Sequence, residues 1–256
     1  QWGFASSPLV YKNMVILNAG QNGLALDKGT GKTMWDSGSS GASYAMVLPF
    51  PQDNKTLLGV FAAKEFAIVD AANGAKLGAH PWVTQFDINA AMPLITAPDK
   101  LFISSGYKHG CAMLKISGGT PSVIWENNKM QNQFNSTVFY NGHLYGIDGN
   151  SGKGTTACLD PATGDEKWRT KDPGFGSLMV AGGKLVILTE KGALVIAEAV
   201  PTGYNELARA NILRKTCWTV PVIAGGRMYC RNQPGELLCL DLTGKKSGAS
   251  TDKSVQ

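Results

Sequence analysis

Short apolar runs recur along the whole chain, and glycine-rich punctuation separates them. One series of runs ends in an acid: Leu24-Ala25-Leu26-Asp27, Ala67-Ile68-Val69-Asp70, Ala157-Cys158-Leu159-Asp160, Val195-Ile196-Ala197-Glu198 and Leu238-Cys239-Leu240-Asp241. Ala112-Met113-Leu114-Lys115 fills the remaining place with a base. The anchors at 27, 70, 115, 160, 198 and 241 are spaced by 43, 45, 45, 38 and 43 residues, a period of about 43. A second series runs in phase upstream, from Ser7-Pro8-Leu9-Val10 to Val220-Pro221-Val222-Ile223. A third lies between them, from Met14-Val15-Ile16-Leu17 to Met228-Tyr229-Cys230. Runs this short, bounded by turn residues such as Gly182-Gly183 and Gly225-Gly226, predict β-strands. The one segment with helical spacing is Tyr204 to Ala210, which predicts a short helix.

A fourth element follows the acid. Asp27-x-x-Thr30-Gly31-x-x-x-Trp35 and Asp160-x-x-Thr163-Gly164-x-x-x-Trp168 share one pattern. The acid and threonine can bond turn amides. The glycine takes the left-handed conformation. The tryptophan then falls on an outermost strand, where its ring can cover the neighbouring sheet. Other copies are partial. Asp70 to Gly74 keeps the turn, but Gly78 stands where tryptophan is expected. Trp125 follows what reads as a longer turn. The fifth copy is Pro201-Thr202-Gly203-Tyr204, and the sixth stops at Asp241-Leu242-Thr243-Gly244.

Each unit therefore holds four short strands, which predicts a four-stranded antiparallel sheet. A single such sheet cannot bury both faces, so copies must stack. Four strands at this period predict an all-β fold, a β-propeller of six units. The units fall near residues 1–40, 41–86, 87–130, 131–172, 173–214 and 215–244, and the last lacks a clear fourth strand. They form one domain that ends in a polar tail at 245–256. Six blades of this size are expected to close into a ring, and the protein to be a monomer.

Composition sharpens this picture. Thirty-one glycines, 43% hydrophobic and 17% charged residues fit a turn-rich globular chain and exclude disorder. No apolar run reaches the roughly 18–20 residues of a membrane-spanning helix. The net charge of +5 is spread out, with its densest cluster, Lys245-Lys246, in the tail. No basic stripe with interleaved aromatics is present, so nucleic acid is not an expected partner. The five cysteines show no metal-binding spacing. A tight turn at Pro234-Gly235 would set Cys230 opposite Cys239, where a cross-strand disulfide is possible.

The Asp27–Trp35 and Asp160–Trp168 motifs resemble the tryptophan-docking repeat of pyrroloquinoline-quinone (PQQ) propellers. Gln1-Trp2-Gly3-Phe4-Ala5-Ser6-Ser7-Pro8-Leu9-Val10, Phe102-Ile103-Ser104-Ser105-Gly106-Tyr107, Gly142-His143-Leu144-Tyr145-Gly146 and Cys217-Trp218-Thr219-Val220-Pro221-Val222 resemble a bacterial subgroup of PQQ-like repeat proteins. That subgroup is similar to the outer-membrane protein assembly lipoprotein. The resemblance spans nearly the whole chain. It implies a propeller, an extracytoplasmic location and protein binding. Members usually carry eight repeats, so the chain resembles the C-terminal six repeats of a longer protein. The enzymes of the wider family imply PQQ with calcium and a vicinal cysteine pair. No two cysteines are adjacent here, and no cofactor is expected.

Other chemistry is sparse. Gly29-Thr30-Gly31-Lys32-Thr33 imitates a phosphate loop, but Leu26 stands where that motif needs glycine, and the segment reads as a hairpin turn. His80, His109 and His143 fall in different units and form no metal pattern. Lys108-His109 sits at a loop tip suited to partner contact. No serine has a recognisable histidine and acid partner. Propellers gather functional groups at the central channel. On the inner strands and their loops the candidates are Ser7, Tyr44, Asn89, Asn135, Ser177 and Trp218. The function expected is a non-catalytic scaffold for a protein or small ligand. The alternatives are a quinoprotein-type oxidoreductase using PQQ and calcium, or a piece of a longer propeller without separate activity.

Overall fold

The computed structural model describes residues 5–38 and 41–244. The tail at 245–256 and the opening Gln1-Trp2-Gly3-Phe4 lie outside the described residues. The first sheet holds β1 (Leu9–Tyr11), β2 (Met14–Leu17), β3 (Leu24–Asp27) and β4 (Thr33–Asp36), and the second β5 (Leu48–Gln52), β6 (Lys55–Phe61), β7 (Glu65–Asp70) and β8 (Lys76–Pro81). The third holds β9 (Leu94–Ala97), β10 (Lys100–Ser105), β11 (Gly110–Ser117) and β12 (Thr120–Asn127), and the fourth β13 (Val138–Tyr140), β14 (His143–Asn150), β15 (Lys153–Leu159) and β16 (Glu166–Thr170). The fifth holds β17 (Gly176–Ala181), β18 (Lys184–Thr189), β19 (Ala193–Glu198) and β20 (Glu206–Asn211). The sixth has three strands, β21 (Val222–Ala224), β22 (Arg227–Arg231) and β23 (Leu237–Asp241). Every sheet is an antiparallel meander in chain order, which is the six-bladed propeller the periodicity predicts.

Three local expectations are corrected. The segment from Tyr204 to Ala210 is not helical: Glu206–Asn211 is the edge strand β20, paired through Val195↔Arg209 and Ile196↔Ala208. Its exposed, mixed face carries no buried stripe to hold a helix. In the third unit the turn before Trp125 is not longer. The extra residues lengthen both strands, which meet at a two-residue Gly118-Gly119 turn with both φ positive, the geometry that matches strand twist. In the sixth unit Cys230 pairs with Leu238, and Tyr229 pairs with Cys239. The connection is not a tight turn at Pro234-Gly235. It runs from Asn232 to Glu236, where the Asn232 side chain accepts the Glu236 amide at 2.8 Å. A one-residue offset in register places the two cysteines on opposite faces. Cys230 is buried, Cys239 is exposed, and all five cysteines are free thiols. Titration of the native protein with a thiol reagent is therefore expected to label one cysteine of five rapidly, and Cys239→Ser to abolish that fast phase.

Each core cluster joins two consecutive sheets. Ile16, Ala25 and Trp35 of the first meet Leu58, Val60 and Val69 of the second. Val186 and Leu188 of the fifth meet Met228 and Cys230 of the sixth. Interior strands such as β6, β10 and β18 are buried on both faces over most of their length. Among the described residues, no cluster joins the sixth sheet to the first. The outward face of the first sheet carries Val10, 61% exposed, in one row with Val15 and Leu26. The outward face of the sixth carries Val222, Tyr229 and Cys239 in one row, beside Leu237 at 66% exposure. Among the described residues the expected packing of the sixth unit on the first is therefore not seen, and both of these faces carry exposed apolar side chains.

The tryptophan motif holds successive blades together. Trp35 of the first sheet donates from Nε1 to the Ala71 carbonyl at 3.2 Å, in the second sheet's turn. Trp125 donates to Pro161 at 2.9 Å, and Trp168 to Val200 at 2.8 Å. The turn glycine is the platform: a Cβ on Gly74 would lie 2.6 Å from Trp35 Cε3, and one on Gly164 2.7 Å from Trp125 Cε3. The second unit lacks its tryptophan where the third lacks the acid–Thr–Gly turn. There Gly78 lets the next hairpin in, since its Cβ would meet the Gly119 carbonyl oxygen at 2.8 Å. Asp27 Oδ1 accepts the Thr30 amide and hydroxyl, both at 2.8 Å. Asp70 and Asp160 accept the amides of Ala72 and Ala162, and Asp241 accepts from Thr243. These bonds hold all four carboxyls below the usual range: the Thr30 hydroxyl leads for Asp27, the Ala72 and Ala162 amides for Asp70 and Asp160, and the Thr243 hydroxyl for Asp241.

Candidate binding face

In a meander the turns between second and third strands share one end of the propeller with the blade-to-blade crossovers. Tight turns and the tryptophan-docking turns occupy the other end. The crossover end is pinned by buried amides. Asn89, with 0% exposure, donates from Nδ2 to the Ala62 and Ala63 carbonyls at 2.8 and 3.2 Å. Its Oδ1 accepts the Ser105 and Thr84 hydroxyls at 2.8 and 3.1 Å. Trp82 Nε1 donates to the same Ser105 Oγ at 2.9 Å. Asn135 bridges the Ile147 and Gly176 carbonyls, and Asn18 bridges those of Ala45 and Phe61. Each amide ties one sheet or crossover to its neighbour, which satisfies backbone groups that no strand pairs.

The six sequence candidates separate on this frame. Asn89, Asn135 and Ser177 are buried and engaged within the fold, Ser177 through the Trp218 carbonyl at 3.2 Å. Ser7 is exposed ahead of β1. Tyr44 is half-buried and lines a cleft of about 580 Å³ with Lys64 and Phe86. Trp218 is 43% exposed, packs with its ring tilted at 5.1 Å from Phe134 and donates from Nε1 to Glu190 at 2.7 Å. The structure brings Tyr44 and Trp218 to the solvent side of the crossover end and leaves the three small polar residues inside.

Sequence reasoning missed a strained aromatic patch on the same end. Phe86, Asp87, Tyr107 and Lys108 all adopt positive φ, between 56° and 66°. Such a backbone costs a bulky residue about 1–3 kcal/mol and concentrates where function needs it. Phe86 is 65% exposed, and its ring meets Tyr107 edge-on at 6.0 Å. Exposed Val83 lies nearby in the chain. The only trace in sequence is the loop tip Gly106-Tyr107-Lys108-His109-Gly110. There Lys108 is exposed and Tyr107 half-buried, while His109 packs on buried Trp82 at 4.2 Å.

The histidines also need correction. His80 and His109 come from different units, yet both rings pack against Trp82, at 5.9 and 4.2 Å. Burial pushes both below the ordinary histidine range, with Glu126 partly opposing it. A folded pKa below the unfolded one gives stability that is present above about pH 6.5 and lost as pH falls through the lowered values. Thermal melts are thus expected to show a fall in Tm between pH 7 and pH 5, and the double variant His80→Gln/His109→Gln to flatten it.

Among the described residues no group of three or more His, Cys, Asp or Glu side chains is placed to hold a metal ion. The two acids nearest this end's main cleft are already bound. Asp148 meets Arg169 Nη1 at 2.7 Å, and Glu190 accepts from the Ser151 hydroxyl, the Gly152 amide and Trp218.

Six meander sheets joined by tryptophan-docking turns define the class as a β-propeller of PQQ-like repeats. The family described as outer membrane protein assembly factor BamB matches residues 2–170, and the chain belongs to that family. BamB from Moraxella catarrhalis superposes with a TM-score of 0.54 at 15% identity, over 92% of this chain and 81% of that one. The propeller also matches Saccharomyces cerevisiae Sqt1, with a TM-score of 0.68 at 12% identity over 90% of this chain and 69% of that one. The computationally designed Ika8 protein matches with a TM-score of 0.64 at 11% identity, over 91% and 70%. At these identities the likeness is one of fold. A search among curated protein sequences finds no match.

Proposed function

We propose that the chain is a non-catalytic propeller scaffold that binds a protein partner through its crossover end, outside the cytoplasm. The observation that carries this is the exposed Phe86 ring against half-buried Tyr107, both held on left-handed backbone. An exposed aromatic ring kept in a strained loop is what a binding anchor needs. Membership in a family described as an assembly factor supports the same reading. On this reading the chain acts as a monomer and needs neither PQQ nor calcium.

A photo-crosslinking residue at position 86 in the native host is expected to trap one partner of defined mass, and one at Thr163 on the opposite end to trap none. Equal capture from both ends, or none from position 86, overturns the proposal. Phe86→Gly is expected to leave the melting temperature unlowered, because glycine tolerates this φ, while removing the anchor and weakening partner capture at least tenfold. The quinoprotein alternative predicts a shifted quinone absorbance and alcohol oxidation when PQQ and Ca²⁺ are added to the purified protein. The scaffold reading predicts neither.

A further inference from the structure

Between the fourth and fifth sheets, on the same end, lies an open cleft of about 620 Å³. Three cations reach it from three separate segments: Lys153 at the start of β15, Lys171 in the crossover, and Lys191 in the turn after β18. All three are exposed. None of them belongs to the ion pairs among the described residues, whereas Lys129, Lys167 and Arg169 close by each have an acid. The two acids that line the cleft are engaged within the fold, and Asp148 is paired with a cation from outside the cleft. Asp148 is held by Arg169, and Glu190 by the Ser151 hydroxyl, the Gly152 amide and the Trp218 indole, with Lys191 acting on it through its charge. Asp172, next to Lys171 in sequence, lies 3.8 Å from Arg209 on the fifth sheet. The cleft therefore carries a net positive charge, three lysines against the one Glu190 carboxylate, over a wall of glycine and Phe175.

We propose that this cleft binds an acidic peptide segment of a partner protein. The inference deepens the protein-binding reading above and rests on it. Three lysines on flexible stems, spread over three segments, suit several carboxylates in a row. A single phosphate is better held by converging amides or an arginine fork, and no arginine lines the cleft. Phe175 is buried and offers no open face on which a nucleotide base would stack. The volume lies within the range of sites that hold peptide-sized ligands. Gly152 and Gly174 have open space where a side chain would project, so an extended backbone can approach the rim.

The test is fluorescence anisotropy of the purified protein with a labelled hexapeptide of alternating Asp and Glu at low salt. Saturable binding is expected, and it should weaken steeply with added NaCl. The triple variant Lys153→Glu/Lys171→Glu/Lys191→Glu should weaken it at least tenfold with an unchanged Tm, since all three side chains are exposed. Lys184→Glu, exposed at the opposite end of the fifth sheet, should leave it unchanged. Undiminished binding by the triple variant overturns the proposal, as does the absence of binding at low salt. Displacement by inorganic phosphate at equal charge also overturns it, in favour of a small-anion site. If the peptide fails to bind while the crosslink from position 86 persists, only the cleft assignment falls. If both fail, the protein-binding reading falls with it.

Discussion

Asn89→Leu is expected to destabilise the propeller by about 3–5 kcal/mol. The leucine is close in volume but offers no polar atom. It strands the Ala62 and Ala63 carbonyls and removes the acceptor for Ser105, while Thr84 keeps the Ile88 carbonyl, all at buried residues. Each buried group left unpaired costs about 1–3 kcal/mol, and neighbouring losses add incompletely. The Ser105 hydroxyl also accepts the Trp82 indole N–H, so the disturbance reaches the ring against which Phe61, His80 and His109 pack. Asn135→Leu removes the donor to the Gly176 carbonyl, while Asn132 still donates to Ile147, and should cost about 1–3 kcal/mol. Ser7→Ala, at an exposed position, should fall within about 0.5 kcal/mol of the parent. Urea denaturation of the three variants gives the ranking. An Asn89→Leu loss below about 1 kcal/mol would show that the amide does not hold the crossovers.

Asn89 also marks how far the sequence can be read. Its residue type and its place ahead of an inner strand are visible in the repeat, because strand series and turns recur at a fixed period. The direction of its side chain is not, since the four groups it meets come from three separated segments. The same limit applies to Trp82, whose histidine neighbours arrive from two units, and to the lysine cleft, whose charges lie on three loops. Periodicity predicts strands well where both faces are buried, as in β6 and β18. It fails for Glu206–Asn211, an edge strand whose side chains are nearly all exposed and carry no stripe. Register is more fragile still. Asn232 closes a wider turn than the Pro-Gly pair suggests, and that single-residue offset separates Cys230 from Cys239. The left-handed backbone of Phe86 has no signature in sequence, because glycine or asparagine would be the residue expected there.

Glycine substitutions across the docking turns should separate backbone strain from blade docking. Gly31 and Gly74 occupy the same turn position in successive units and share nearly the same φ, 71° and 72°. A Cβ on Gly31 meets nothing within 4 Å, because no described tryptophan lies over the first unit's turn. On Gly74 it lies 2.6 Å from Trp35. Gly31→Ala should therefore cost only the left-handed penalty, about 1–2 kcal/mol. Gly74→Ala should cost that plus about 1–3 kcal/mol of overpacking. Trp35→Ala alone, which removes a buried ring and its bond to Ala71, should cost about 3–5 kcal/mol. In the Trp35→Ala background the clash is gone, so Gly74→Ala should fall to the Gly31→Ala value, a coupling of about 1–3 kcal/mol. Additive losses in this double-mutant cycle would mean that the indole does not bear on Gly74. Coupling of the expected size would make the tryptophan–glycine contact, repeated at Trp125 and Gly164, a main fastener between blades.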